Sequence, residues 1–132
     1  MLSEKFDEIN NDNNNAIDIS QKTQRFIINS IDFWYNTDKT ILADLNDEIK
    51  ELEDEVANQD EERISEELGD VIFVLCNFAN HHNLDLNKCL QQSTIECQRR
   101  LKYIEDKIGY KKFKNLEKPE IIKLWKEAKS NK

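Results

Sequence analysis

Apolar residues recur at three- and four-residue intervals over most of this chain, and that spacing predicts helices. The first runs from about Ile17 to Tyr35, with Ile19, Phe26, Ile27, Ser30, Phe33 and Trp34 near one face. Asn36-Thr37-Asp38 interrupts it, and Thr37 or Asp38 can cap the next helix. This second helix spans about Thr40 to Ala57, carrying the stripe Ile41, Leu42, Leu45, Ile49, Leu52 and Val56. Asn58-Gln59-Asp60 is a turn, with Asp60 as N-cap of a third helix from about Glu61 to His81. A fourth runs from about Leu86 to Ile108, with Gly109 as its stop. Tyr110 to Leu116 is basic and aromatic, and Lys118-Pro119-Glu120 opens a short last helix, with Pro in the tolerated first turn. Residues 1 to 16 are polar and rich in Asn, which predicts a flexible arm before a single all-α domain, 17 to 132.

The third helix departs from simple amphipathicity. Its stripe is Ile64, Leu68, Val71, Ile72, Leu75 and Ala79, yet Val71-Ile72-Phe73-Val74-Leu75-Cys76 is apolar all the way round. A helix apolar on every side has to be covered on every side. A few helices of one chain hardly do that, so the run predicts a homo-oligomer. Gly69 sits inside the same helix at a cost of about 1 kcal/mol relative to Ala. It either admits a close neighbour or relieves crowding.

Carboxylates flank these stripes in a doubled pattern. Asp44, Glu48, Glu51 and Glu55 run beside the apolar face of the second helix, and Glu67 and Asp70 border that of the third. Glu48 and Glu51 are three apart, as are Glu67 and Asp70, so each pair shares a helix face. Antiparallel packing of the two helices can bring all four to one point, where hard oxygen donors suit a divalent cation such as Mg²⁺. A single Glu-x-x-Glu is usually solvated surface. Two such pairs at the rim of a core are more specific, because desolvated carboxylates need compensation.

Charge sharpens this. The 132 residues carry a net −8. From Asp44 to Asp70 there are 13 acidic and 2 basic residues, a net of −11, and from Arg99 to Lys129 there are 11 basic and 5 acidic, a net of +6. A metal-holding half and a phosphate-holding half would have this look, as would two solvated faces attracting each other. The overall acidity disfavours nucleic acid and anionic membranes as partners.

Other chemistries lack their residues. Cys76, Cys89 and Cys97 fit neither a zinc knuckle nor a redox CxxC pair, and reduced cytoplasmic thiols are expected. No apolar stretch is long enough to span a bilayer, and the first residues lack a signal-peptide pattern. Phe78 and Ala79, not Glu, precede His81 and His82 by three, which excludes the di-iron Glu-x-x-His motif. No Gly lies where an EF-hand loop requires one, and no Gly-rich phosphate loop is present.

Asp47-Glu48-Ile49-Lys50-Glu51, then Glu66-Glu67-Leu68-Gly69-Asp70-Val71-Ile72-Phe73, then Arg99-Arg100-Leu101-Lys102-Tyr103-Ile104-Glu105 and the tail Leu124-Trp125-Lys126-Glu127-Ala128-Lys129 resemble the MazG-type nucleoside triphosphate pyrophosphohydrolases, over about residues 30 to 129. Asp47 stands where the motif has its first Glu. Thr94 and Glu96 stand where family members often carry Asn and Lys. The resemblance implies an antiparallel four-helix bundle-like fold with a short C-terminal helix, assembled as a homodimer or homotetramer. It implies Mg²⁺, with Mn²⁺ as substitute, held by Glu48, Glu51, Glu67 and Asp70. It further implies hydrolysis of an NTP or dNTP to nucleoside monophosphate and pyrophosphate, in nucleotide-pool housekeeping. Glu48 and Glu51 are the catalytic candidates, with Glu51 or nearby Glu55 as base. Arg99, Arg100 and Lys102 are candidates for the phosphates and Trp34 for stacking on the base. Salt bridging by the three basic residues and a bundle-closing aromatic are the plainer alternatives. A non-enzymatic helical protein that keeps the fold, or a related hydrolase of dUTP, dCTP or a phosphoribosyl nucleotide, are the alternatives to the activity.

Overall fold

The computed structural model describes residues 1–12, 15–31 and 36–132. Among them are seven helices and no strand: α1 (Leu2–Asn11), α2 (Ala16–Ile31), α3 (Asp38–Asn58), α4 (Glu61–His81), α5 (Leu86–Ile108), α6 (Tyr110–Phe113) and α7 (Lys118–Ser130). The all-α class agrees with the 3.6-residue spacing. The chain divides into two compact units, Met1–Lys88 and Cys89–Lys132, with the boundary inside α5.

In the first unit, α3 and α4 form a hairpin with well-defined ends. Thr37 caps α3 in a reciprocal box: its hydroxyl accepts from the Thr40 N–H at 3.1 Å, and the Thr40 hydroxyl accepts from the Thr37 N–H at 2.9 Å. The helix therefore begins two residues before the expected Thr40. Gln59 takes a left-handed φ of 56°, its N–H bonding to Val56 while the Asp60 N–H reaches Glu55, which closes the helix end. Asp60 then accepts from the Arg63 N–H at 3.2 Å as the expected N-cap of α4. With only Gln59 and Asp60 between them, the two helices run antiparallel. Glu55 at the end of α3 pairs with Arg63 at the start of α4 at 3.5 Å, and Asp38 at the start of α3 meets His82 just past α4 at 2.7 Å.

A polar seam joins α2 to α4. Gln24 is buried and donates to the Phe73 carbonyl at 3.0 Å. Gln21 is also buried, donating to Asn80 at 3.0 Å and the Leu84 carbonyl at 2.9 Å, while accepting from the Leu86 N–H at 3.0 Å. The face read on this helix in the sequence did not include these two amides, so they were missed. Of the expected stripe, Phe33 and Trp34 lie outside the described residues.

The expected N-terminal arm is helical over Leu2–Asn11. Ile9 is buried, and Phe6 meets Phe26 of α2 edge-on at 6.3 Å. An Asn-rich segment with a few apolar residues at helical spacing orders when a neighbouring helix offers those residues a partner.

The second unit holds the rest of α5 with α6 and α7. Ile104 and Ala128 are buried in it, and Gly109 takes φ 84°, where a side chain would be strained. Pro119 lies in the first turn of α7, as expected.

The apolar run on α4 is incompletely covered. Cys76 is fully buried, but Leu68, Ile72 and Phe73 remain 50%, 41% and 39% exposed, and Val56 of α3 is 56% exposed. An added Cβ at Gly69 would meet nothing within 4 Å, so crowding inside the described chain does not explain this glycine. Among the described residues, no helix is long and apolar enough to cross a membrane.

Candidate metal centre

Glu48 lies midway along α3, and Glu67 and Asp70 lie midway along α4. The antiparallel hairpin sets these midpoints opposite each other. One oxygen from each of Glu48, Glu67 and Asp70 falls within a group where every pair is no more than 4.8 Å apart. Glu48 and Glu67 are half-buried and Asp70 is exposed, so the group is closed on the core side and open on the other. Glu51 is exposed and stands against Glu48 and Glu67, adjoining the three-carboxylate group.

Electrostatics at this point are unfavourable as they stand. Loss of solvent pushes the Glu48 carboxyl up to about 7, and interaction with Glu51 and repulsion from Asp70 and Glu67 add to the rise. Glu67 is raised too, by burial first and then by Glu51 and Asp70, while its interaction with Glu48 works the other way. Arg63, one of the two basic residues of the acidic half, is engaged with Glu55 at 3.5 Å and Asp60 at 3.7 Å. Glu48 Oε2 and Glu67 Oε2 are buried and have no hydrogen-bond partner among the described residues. Desolvated acceptors of this kind are costly unless a cation or donor meets them. Clustered carboxylate oxygens without a donor fit a hard divalent ion, so the residues present match the metal the sequence pattern implied.

The remaining site candidates lie elsewhere on the helices. Glu55 is half-buried and held by Arg63. Arg99, Arg100 and Lys102 lie on α5 in the second unit. Arg99 grips Glu96 through two contacts, 2.9 and 2.7 Å, and donates to the carbonyls of Ala128 at 2.9 Å and Asn131 at 3.3 Å. Arg100 donates to the same Glu96 at 3.0 Å and stacks over Trp125 at 5.2 Å. Both guanidinium groups hold the Glu96 carboxyl down to about 2. The carboxylate they meet is on their own helix, at the position where the sequence departs from the family pattern. Lys102 is exposed. Trp34 lies outside the described residues.

Two features had no clear sequence signal. The His81 and His82 imidazoles both approach Asp38, at 3.5 and 2.7 Å, and so fasten the far end of the hairpin. Two amide pairs, Gln21 with Asn80 and Asn36 with Asn77, link residues far apart in sequence. Single amides without periodicity do not announce such pairs.

A family model described as the MazG nucleotide pyrophosphohydrolase domain matches residues 36–104, just over half of the chain. The matched span holds the carboxylates Glu48, Glu51, Glu67 and Asp70 and the Arg99-Arg100 pair. No curated protein and no solved structure matches.

Proposed function

The chain belongs to the MazG nucleotide pyrophosphohydrolase family, and on that premise we propose that it hydrolyses a nucleoside triphosphate, NTP or dNTP, to nucleoside monophosphate and pyrophosphate at the Glu48–Glu67–Asp70 cluster. The observation that carries this reading is the pair of buried, unpartnered oxygens on Glu48 and Glu67. Carboxylates so placed are explained by a cation, and a cation among carboxylates is a docking point for phosphates.

Glu48, Glu67 and Asp70 would each hold Mg²⁺, or Mn²⁺ in its place, through one oxygen, with Glu51 as the fourth carboxylate. When bound, the ion supplies electrophilic stabilisation of the triphosphate charge and makes a water more acidic. Glu51 orients the attacking water and takes its proton. It is favoured over Glu55, because Glu55 is engaged by Arg63 at 3.5 Å. The water oxygen bonds to the α-phosphorus, the bond from that phosphorus to the bridging oxygen breaks, and pyrophosphate leaves with the electron pair. Glu48, the other member of the catalytic pair with Glu51, would hold the ion that offsets the phosphate charge. Arg99, Arg100 and Lys102 are the sequence's candidates for the phosphate oxygens, through charge-assisted hydrogen bonds, and Trp34 is its candidate for the base.

The fold in this reading is the antiparallel four-helix bundle-like arrangement of the family, working in the cytoplasm on nucleotide-pool housekeeping. Leu68, Ile72 and Phe73, each exposed by more than a third, support a homodimer or homotetramer that covers them.

One observation favours a second reading, a non-enzymatic helical protein that retains the fold. Glu96 already occupies both Arg99 and Arg100. Incubating the protein with Mg²⁺ and a panel of common and modified nucleotides, dUTP, dCTP and phosphoribosyl nucleotides included, separates the readings. Release of pyrophosphate rather than orthophosphate is the expected result, and inertness over the whole panel overturns the enzymatic reading.

A further inference from the structure

The second unit contains a cleft of about 820 Å³ formed by the end of α5, by α6 and by α7. Lys107, Lys111, Lys112 and Lys123 line it, together with the half-buried apolar side chains of Leu116 and Leu124. Its carboxylates are Glu120 and Glu127. Glu127 is taken: it pairs with Lys107, and the Tyr103 hydroxyl reaches it at 3.4 Å. The pairing lowers the Glu127 carboxyl and raises the Lys107 ammonium. Lys111, Lys112 and Lys123 are exposed and form no ion pair among the described residues. Three ammonium groups outside any such ion pair therefore line a space with one remaining carboxylate and an apolar wall, and Lys123 also helps lower the Glu127 carboxyl.

That volume is within the range of small-molecule sites, roughly 300–1,000 Å³, which pair an apolar lining with a few convergent polar groups. Ammonium groups without acid partners select phosphate or another polyanion, and they do so without a metal. Half-buried leucines give a small inorganic anion nothing, but they gain from covering a flat aromatic ring. Phosphates joined to a base combine both chemistries.

We propose that this cleft is a second, metal-independent nucleotide site, with phosphate oxygens on Lys111, Lys112 and Lys123 and the base against Leu116 and Leu124. It is independent of the hydrolytic reading, because none of its residues belongs to the carboxylate cluster. A nucleotide held there is an effector or a retained product rather than a reacting substrate, since the cleft offers no cluster of carboxylates to hold a divalent ion.

Calorimetry on the full chain in EDTA at low salt tests this, with ATP, tripolyphosphate and inorganic pyrophosphate as probes. EDTA silences binding that depends on a divalent ion. ATP is expected to bind about tenfold more tightly than tripolyphosphate, and Lys111→Gln with Lys123→Gln to weaken ATP by at least about tenfold. Asp70→Asn is expected to leave this binding unchanged, so its loss of turnover would be read separately. Amide shifts in the wild-type protein, expected to concentrate at residues 107–127, give a readout that needs no variant. The proposal is overturned by no binding at millimolar ATP, by equal affinity for ATP and tripolyphosphate, by binding that survives the lysine substitutions or is lost in Asp70→Asn, or by shifts centred outside residues 107–127.

Discussion

Glu48 of α3 and Glu67 of α4 each bury one carboxylate oxygen that has no hydrogen-bond partner among the described residues, and the two carboxylates come within 4.8 Å of each other and of Asp70. Two helix midpoints thus carry an unmet electrostatic demand. Metal binding, stability and turnover should all respond to it.

The first consequence concerns pH. Glu48 titrates at about 7 in the folded, metal-free chain against an ordinary value of 4.5. Its carboxyl keeps a proton that the unfolded chain gives up, so the stabilisation is complete below about 4.5 and is lost as pH rises through about 7. Thermal melts in EDTA should fall by several degrees between pH 5 and pH 8 (about 4 °C per kcal/mol for a chain of this size). Mg²⁺ or Mn²⁺ at pH 8 should restore the loss, and Glu48→Gln should flatten the profile. A metal-free melting temperature that rises over this interval contradicts the assignment.

Substitution at the cluster separates holding the ion from moving the proton. Glu67→Gln or Asp70→Asn should lower turnover by about 100-fold or more with the helical signal intact, because a charge-stabilising ligand is lost. Both should weaken Mn²⁺ binding by calorimetry. Glu51→Gln should weaken metal binding too, but depress kcat at saturating Mg²⁺ by more than that loss accounts for. A kcat that saturating Mg²⁺ restores in full would leave Glu51 a ligand only and not the base.

Glu96 restrains the arginine pair. Its carboxylate meets Arg99 at 2.7 Å and Arg100 at 3.0 Å, the kind of partner a phosphate would otherwise be. Glu96→Gln should lower KM for the triphosphate several-fold with little change in kcat. If KM does not move, Arg99 acts as a staple onto Ala128 and Asn131, and Arg100 as a cover on Trp125, and neither as a phosphate ligand.

The two glycines should respond in opposite directions. Gly69 is helical with open space around a Cβ, so Gly69→Ala should stabilise by up to about 1 kcal/mol in urea melts. Gly109 has φ 84°, so Gly109→Ala should destabilise by about 1 kcal/mol or more. Destabilisation at Gly69 would show that a second copy packs against it.

Ile72 and Leu68 bear on assembly. Replacing both with Lys should convert an oligomer to monomer by light scattering. A wild-type protein that is monomeric at micromolar concentration removes the reason offered for their exposure.

Much of this was legible in the sequence, for a physical reason. Helical spacing fixes which face a residue occupies, so the stripe of Ile41 and Leu45 located Glu48, and the stripe of Ile64 and Val71 located Glu67 and Asp70. Asp60 marked the start of α4 because a side-chain cap needs no distant partner. The tertiary partners were not legible. Phe6 meets Phe26 of α2 and Ile9 is buried, neither of which the spacing announced, and the buried amides Gln21 and Gln24 look like solvent-facing residues until α4 stands opposite them. Glu96 read as a departure from the family, but that it clasps both arginines is a matter of side-chain geometry.

The proposed function stands on one step, the addition of water to the α-phosphorus of a triphosphate at the carboxylate cluster. Phosphorus NMR of the products formed in heavy-oxygen water, with Mg²⁺ present, reads that step. The heavy oxygen should appear in the nucleoside monophosphate, with none in the pyrophosphate, and Asp70→Asn should form both products at least about 100-fold more slowly. Label in the pyrophosphate, release of orthophosphate, or undiminished turnover by Asp70→Asn would refute it.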